Sequence, residues 1–134
     1  MITTKGKTML QFSDANAKLE ELYNVPELAE WLTDDRKVYS LDLLSGWSCP
    51  FALECFSKAV PTGEITEAGN PRLKIVDGPE TDFRCFSASQ EVLLPNVYKR
   101  RKHNFDTLRG EHLNDMIHRL NQDLPKDTGI LRFH

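Results

Sequence analysis

The sequence predicts an α+β fold that is mostly helical and includes a small β-sheet. Apolar residues recur at helical spacing in several stretches, most clearly over residues 111–124. Short stretches near residues 37–44, 72–76 and 129–133 favour strands and are punctuated by glycine or proline. A length of 134 residues, with no repeat, low-complexity tract or linker, predicts one domain over residues 1–134.

Capping residues and prolines predict where the helices begin and end. Ser13 or Asp14 is expected to cap a first short helix. Pro26 suits the first turn of a second one. Pro95 is expected to open a longer helix that ends at Gly110.

The last two helices differ in their predicted faces. The helix over residues 111–124 has a stripe of apolar side chains that is expected to face the core, namely Leu113, Met116, Ile117, Leu120 and Leu124. On the preceding helix, Arg101 shares a face with Tyr98, Phe105 and Leu108. Arg101 therefore points where an apolar residue is expected.

Composition excludes several classes of protein. A net charge of -3, with 40% hydrophobic and 28% charged residues, is typical of a globular protein rather than a disordered tail or a nucleic-acid-binding arm. There is no signal-peptide pattern and no run of eighteen apolar residues, so we expect a cytoplasmic protein without a membrane span. Neither a Ser-His-Asp order nor a phosphate-binding glycine loop is present.

Three cysteines are the most reactive feature of the sequence: Cys49, Cys55 and Cys85. Cytoplasmic thiols stay reduced and the number is odd, so a disulfide framework is not expected. Pro50 commonly opens a helix, which puts Cys49 near a helix N-terminus, where the helix dipole favours the metal-binding thiolate.

Three interpretations of the cysteines remain open. Free cysteines are often small buried hydrophobic residues. A zinc site would take His103 or His112 as its fourth ligand, although structural zinc usually shows two tight cysteine pairs. An iron-sulfur cluster is ligated by thiolates, and aromatic neighbours would shield it from water: Trp47, Phe51, Phe56, Phe83 and Phe86.

The number of thiolates matters for a cluster. Three cysteines leave one iron of a 4Fe-4S cubane without a thiolate, whereas a 3Fe-4S cluster is satisfied by three. The side chains that can cover the fourth iron are Glu54, Asp77, Asp82 and His103.

The segment SCPFALEC, residues 48–55, resembles the cysteine region of the bacteriophage gene product 88 domain family. The final ILRFH is similar to a strand that runs on in longer relatives, and RCFSASQEVLLPNVYKRRKHNF is similar to a group of small phage iron-sulfur proteins. The resemblance implies that Cys49 and Cys55 are cluster ligands and that the protein works in the cytoplasm of an infected host cell. Cys85 is added on chemical grounds. Phe51 stands where relatives usually have glycine.

The resemblance implies an iron-sulfur protein with redox activity at an open iron, either electron transfer to an unknown redox partner or reduction of a small species such as protons. Radical chemistry with S-adenosylmethionine lacks its C-x3-C-x2-C signature here. Arg101, if it lies near the cluster, is expected to help bind it by balancing its negative charge; the other interpretation is an ion pair with Asp106 or a neighbouring helix.

A binding module is the alternative function. The helix over residues 97–103 carries four consecutive cations, which attract phosphate, with any zinc merely structural or with no metal at all. Consecutive helical residues point in different directions, so the run does not form a single patch. Nucleic acid is therefore the second choice of partner.

Overall fold

Two compact units make up the chain in the computed structural model, which describes residues 9–47, 57–77 and 86–133. Unit 1 comprises residues 1–42 and 106–134, and unit 2 comprises residues 43–105. The α+β fold class is confirmed, since helices and strands both occur. That residues 1–134 form a single domain stays a prediction.

The elements follow in chain order: β1 (Ser13–Asp14), α1 (Ala17–Glu20), a 3₁₀ helix (Glu21–Asn24), α2 (Pro26–Ala29), β2 (Lys37–Leu41), β3 (Lys58–Ile65), β4 (Pro71–Val76), α3 (Phe86–Leu93), α4 (Pro95–Leu108), α5 (Leu113–Asp123) and β5 (Thr128–Phe133).

Unit 1 contains a three-stranded sheet with the order β1-β2-β5. β1 runs antiparallel to β2, and β2 runs parallel to β5, with Val38 opposite Ile130 and Leu41 opposite Phe133. The strands predicted near residues 37–44 and 129–133 are therefore confirmed. Val38 and Leu41 are almost completely buried, which is why this strand reads clearly from its apolar residues.

The start of the first helix differs from the prediction. Ser13 and Asp14 form β1 instead of a helix cap. The cap is Asn16, whose Oδ1 accepts a hydrogen bond from the backbone N–H of Leu19 at 2.9 Å. Asn, Ser and Asp cap helices about equally well, so the residue type alone did not decide among them.

The apolar stripe of α5 is less buried than predicted. Leu113 is 70% exposed and Ile117 is 49% exposed, and the prediction that they lie in the core is wrong. Polar contacts hold this part of unit 1: the Leu10 N–H donates to Asp123 Oδ2 at 2.9 Å, and Arg119 Nε donates to Glu111 Oε1 at 2.9 Å. Helical periodicity predicts an apolar face, but it does not predict which surface covers that face.

A β-hairpin opens the described part of unit 2 after the first cysteine segment. β3 and β4 pair antiparallel, with Lys58 opposite Val76 and Ala59 opposite Ile75. β4 confirms the strand predicted near residues 72–76. β3 was not predicted as a strand, because Pro61 and Gly63 lie within it and most of its side chains are exposed.

Helix α3 and α4 as far as Phe105 complete unit 2. α3 packs against both strands of the hairpin. α4 begins at Pro95 as predicted. The small apolar core contains Leu44, Ala59 and Tyr98, with Leu73, Val92 and Phe105 packed against them.

Among the residues that the structure describes, no helix combines the length and the apolar character that crossing a membrane requires.

Candidate functional site

The three predicted cysteine ligands lie outside the described residues. Cys49 and Cys55 fall within residues 48–56, and Cys85 falls within residues 78–85. Over residues 9–47, 57–77 and 86–133, no three His, Cys, Asp or Glu side chains come together to form a metal-binding group. The structure does describe Arg101 and three of the candidate fourth ligands, Asp77, His103 and His112.

Arg101 points into unit 2 and is buried between Tyr98 and Asn104 on one face of α4. Its Nη1 lies 2.8 Å from Glu91 Oε2 on α3, so the two side chains form an ion pair with a neighbouring helix. Nη2 donates to Gln90 Oε1 at 3.1 Å, and Nη1 also donates to the Ser87 carbonyl at 3.3 Å. One guanidinium therefore holds the first two turns of α3.

Glu91 is the buried centre of this arrangement. Its Oε2 accepts hydrogen bonds from the Ser45 backbone N–H at 3.1 Å and from the Ser45 hydroxyl at 2.9 Å, besides the bond from Arg101. Glu91 therefore ties the turn at Ser45 to both helices. Sequence reasoning missed it, although a signal was present: Glu91 lies three residues after the buried Ala88, on the face of α3 where an apolar residue is expected.

The ion pair leaves two buried atoms without a partner. Within the described part of the chain, Glu91 Oε1 and Arg101 Nε have no hydrogen-bond partner and no access to solvent. A buried polar atom without a partner costs about 1–3 kcal/mol. An interior selected for stability alone avoids this cost.

The turn at Ser45 and Gly46 directly precedes the first cysteine segment. Gly46 has a φ of 75°, which favours glycine, and a Cβ atom placed there would lie 2.5 Å from the Ser57 carbonyl oxygen. Residues 46 and 57 are thus close neighbours in space, although ten residues separate them in the chain. Beside them, Lys58 Nζ lies 4.4 Å from the centroid of the exposed Trp47 ring.

The residues that flank the second cysteine segment lie nearby. Lys58 pairs with Val76 across the hairpin, so the end of β4 lies beside the start of β3. The segment that contains Cys85 follows β4 and ends at α3, which packs on the same two strands and carries Glu91. The described residues that flank the two cysteine segments therefore lie in one region of unit 2.

The basic stretch of α4 does not form one surface. Lys99 donates a hydrogen bond to Asn70 Oδ1 in the same unit, whereas Arg101 points inward. His103 on α4 is half-buried, and His112 is the exposed residue that precedes α5. A nucleic-acid partner stays a prediction.

Comparison with known proteins identifies a family. The family model described as Gene product 88 matches residues 4–134. No curated protein and no solved structure matches the chain.

Proposed function

We propose that this chain, which belongs to the gene product 88 family, binds one 4Fe-4S or 3Fe-4S cluster through Cys49, Cys55 and Cys85 and has a redox function. When bound, such a cluster supplies one-electron transfer and, in its cubane form, an iron without a thiolate at which a small species such as a proton can be reduced. The electrons pass from a reductant to a redox partner or to that species.

One observation carries this proposal: the described residues that flank the cysteine segments lie together. Cys49 follows Trp47 by two residues and Cys55 precedes Ser57 by two, so both cysteines are close in sequence to residues that lie together. Cys85 is bonded directly to Phe86, the first residue of α3. Chain connectivity therefore supports three thiolates that share one centre.

The charge of the surroundings bears on the reduction potential. Glu91 and Arg101 compensate each other, so the pair adds no net charge beside a cluster whose sulfides and thiolates are negative. Loss of Arg101 leaves the Glu91 carboxylate uncompensated. A lower reduction potential is then expected in Arg101→Ala, because added negative charge disfavours an added electron.

The proposal is tested on protein purified without oxygen. Iron, acid-labile sulfide and zinc are quantified, and electron paramagnetic resonance spectra are recorded before and after dithionite. Iron and sulfide in near-equal amounts with a signal from the reduced protein are expected. Stoichiometric zinc without sulfide, or no metal at all, would overturn the proposal, and zinc would favour the binding module formed by residues 97–103.

Replacing each cysteine by alanine tests the ligand set. Cys49→Ala, Cys55→Ala and Cys85→Ala are each expected to lose most of the bound iron. The matched control is Ala substitution of the exposed Thr62 in the hairpin, with circular dichroism to verify folding. Full iron content in Cys85→Ala would remove that residue from the site.

A further inference from the structure

We infer that Glu91 is the positioning residue of the cluster site, fixing the turn that precedes Cys49 relative to the helix that follows Cys85. This inference rests on the proposed function, and it assigns a role to a residue that ligates nothing. Glu91 acts through Ser45 on one side and through Arg101 on the other.

The contact with Ser45 fixes the turn. A single carboxylate oxygen, Glu91 Oε2, accepts both the backbone N–H and the hydroxyl of Ser45. Because both donors belong to Ser45, they fix the orientation of the backbone at this turn as well as its distance from Glu91. Gly46 follows at once in its left-handed conformation against Ser57, so the fixed turn leads directly to the entrance of the first cysteine segment.

The contact with Arg101 fixes the helix. Arg101 bonds Ser87, Gln90 and Glu91, which all lie on α3. α3 begins at Phe86, directly after Cys85. Because Glu91 takes part in both sets of bonds, this one carboxylate links the turn at Ser45 to α3 and α4.

The two unsatisfied atoms are a cost in stability, which raises the question of what the carboxylate provides in return. A hydrophobic pair of similar volume is often as stable as a buried ion pair, and it leaves no orphan atoms. Glu91 Oε1 and Arg101 Nε are nevertheless unpartnered among the described residues. What a carboxylate provides and an apolar side chain does not is directional bonding to Ser45. Partners that orient metal ligands typically change affinity about 10- to 100-fold when they are removed.

The test compares Glu91→Gln and Ser45→Ala with Glu64→Gln. Glu64 pairs with Arg72 at 3.3 Å on the exposed hairpin of the same unit, so the control makes the same substitution in an ion pair with arginine far more exposed to solvent. Ser45→Ala keeps the ion pair and the backbone bond, which separates positioning from stability.

Two measurements are made on each variant. The first is the rate at which a chelator removes iron from the loaded protein, together with the line shape of the reduced resonance signal. The second is the exchange rate of the Ser45 amide hydrogen in the iron-free protein, which needs no cluster. Melting temperatures are recorded alongside.

Removal of iron is expected to be about 10- to 100-fold faster in Glu91→Gln and about fivefold faster in Ser45→Ala. In Ser45→Ala the resonance line shape should change although the melting temperature falls much less than in Glu91→Gln, because the ion pair and the backbone bond remain. Glu64→Gln should match the wild type throughout. Faster exchange of the Ser45 amide is expected in iron-free Glu91→Gln.

Iron loss that follows melting temperature alone across the variants would overturn the inference and leave the proposed function standing. Unchanged Ser45 exchange in Glu91→Gln would also overturn it. Wild-type protein without iron and sulfide would instead overturn the proposed function, and the inference with it.

Discussion

Within the part of the chain that the structure describes, units 1 and 2 bury the same number of apolar side chains and very different numbers of polar ones. Among the described residues, unit 1 buries Leu10, Leu32, Val38 and Leu41 with one polar residue, Ser40. Unit 2 buries Leu44, Ala59, Ala88 and Tyr98 with five polar residues, Ser45, Ser57, Glu91, Arg101 and Asn104.

The charged contacts differ in the same way. In unit 1, Lys37 and Asp127 form an ion pair at 3.5 Å while both side chains remain partly exposed. In unit 2, Glu91 and Arg101 are almost wholly removed from water. A buried ion pair offsets the desolvation of its charges only when its geometry is good and further hydrogen bonds are made, so this contact in unit 2 depends on its surroundings more than the exposed pair in unit 1 does.

The largest effect is expected from Arg101→Ala, which breaks the buried pair of unit 2. Removing one partner leaves the Glu91 carboxylate buried without its counter-charge, which destabilises proteins by about 3–5 kcal/mol. Denaturant unfolding followed by circular dichroism measures the free energy of unfolding. Arg72→Ala, which breaks the exposed pair with Glu64 on the hairpin, should cost only about 0–1 kcal/mol. Similar losses in both variants would contradict a special role for burial.

Gly46→Ala is expected to destabilise unit 2 by about 1–3 kcal/mol, because a side chain there is strained by a φ of 75° and meets the Ser57 carbonyl. The control is Gly63→Ala, where φ is 94° and a Cβ atom has open space around it. Both variants carry backbone strain, so the additional loss in Gly46→Ala reports the close approach to Ser57. Equal melting temperatures in Gly46→Ala and Gly63→Ala would show that the backbone near residues 46 and 57 shifts to accommodate the methyl group.

Tyr39→Phe should remove an alkaline transition from unit 1. The Tyr39 hydroxyl donates to Asp127 Oδ1 at 2.8 Å. This bond, helped by burial, raises the pKa of Tyr39 to about 12 from 10.0, and it lowers the pKa of Asp127. The folded state therefore holds the Tyr39 proton more tightly, so this contribution to stability is complete below pH 10 and disappears between pH 10 and 12.

The lowered pKa of Asp127 acts at the opposite end of the pH scale. Its contribution is present above the ordinary value of 3.8 and is lost as the pH falls through the lower pKa of the folded protein. At neutral pH, loss of the Tyr39 hydroxyl should cost about 1 kcal/mol. Melting temperatures measured from pH 9 to pH 12 test the alkaline limb, and an unchanged limb in Tyr39→Phe would assign it to another group.

Lys58→Met should have the smallest effect, about 0.5–1 kcal/mol, because its ammonium group lies over an indole ring that is about half exposed. Trp47 fluorescence reports the change, because the cation is removed from the ring face. Lys74→Met on β4 is the exposed control. A shift of the emission that is equal in both variants would show that it does not arise from the contact with Trp47.

Much of the fold could be predicted because it depends on local patterns. Val38 and Leu41 favour a strand, and Pro95 fixes the beginning of α4. β3 is stabilised by pairing with β4 rather than by its own composition, so its residues gave no local signal. The exposure of Leu113 and Ile117 likewise depends on which surfaces are nearby, and no window of sequence contains that information.

The candidate site was predictable in part for the same reason. The position of Arg101 on an apolar face indicated that it is buried, and an ion pair with a neighbouring helix was one of the two interpretations given to it. Its partner could not be identified, because Glu91 lies ten residues earlier on another helix and its link to Ser45 spans the hairpin. The ligand role of Cys49, Cys55 and Cys85 stays a prediction.

The pairing of β2 with β5 has a consequence for synthesis. These neighbouring strands are separated in the chain by the whole of unit 2, since β2 ends at Leu41 and β5 begins at Thr128. A ribosome therefore releases Ser45, Glu91 and Arg101 before it makes the strand that completes the sheet of unit 1. Contacts that are close in sequence form early and distant ones form late. The bonds around Glu91 can therefore form before β5 is available to pair with β2.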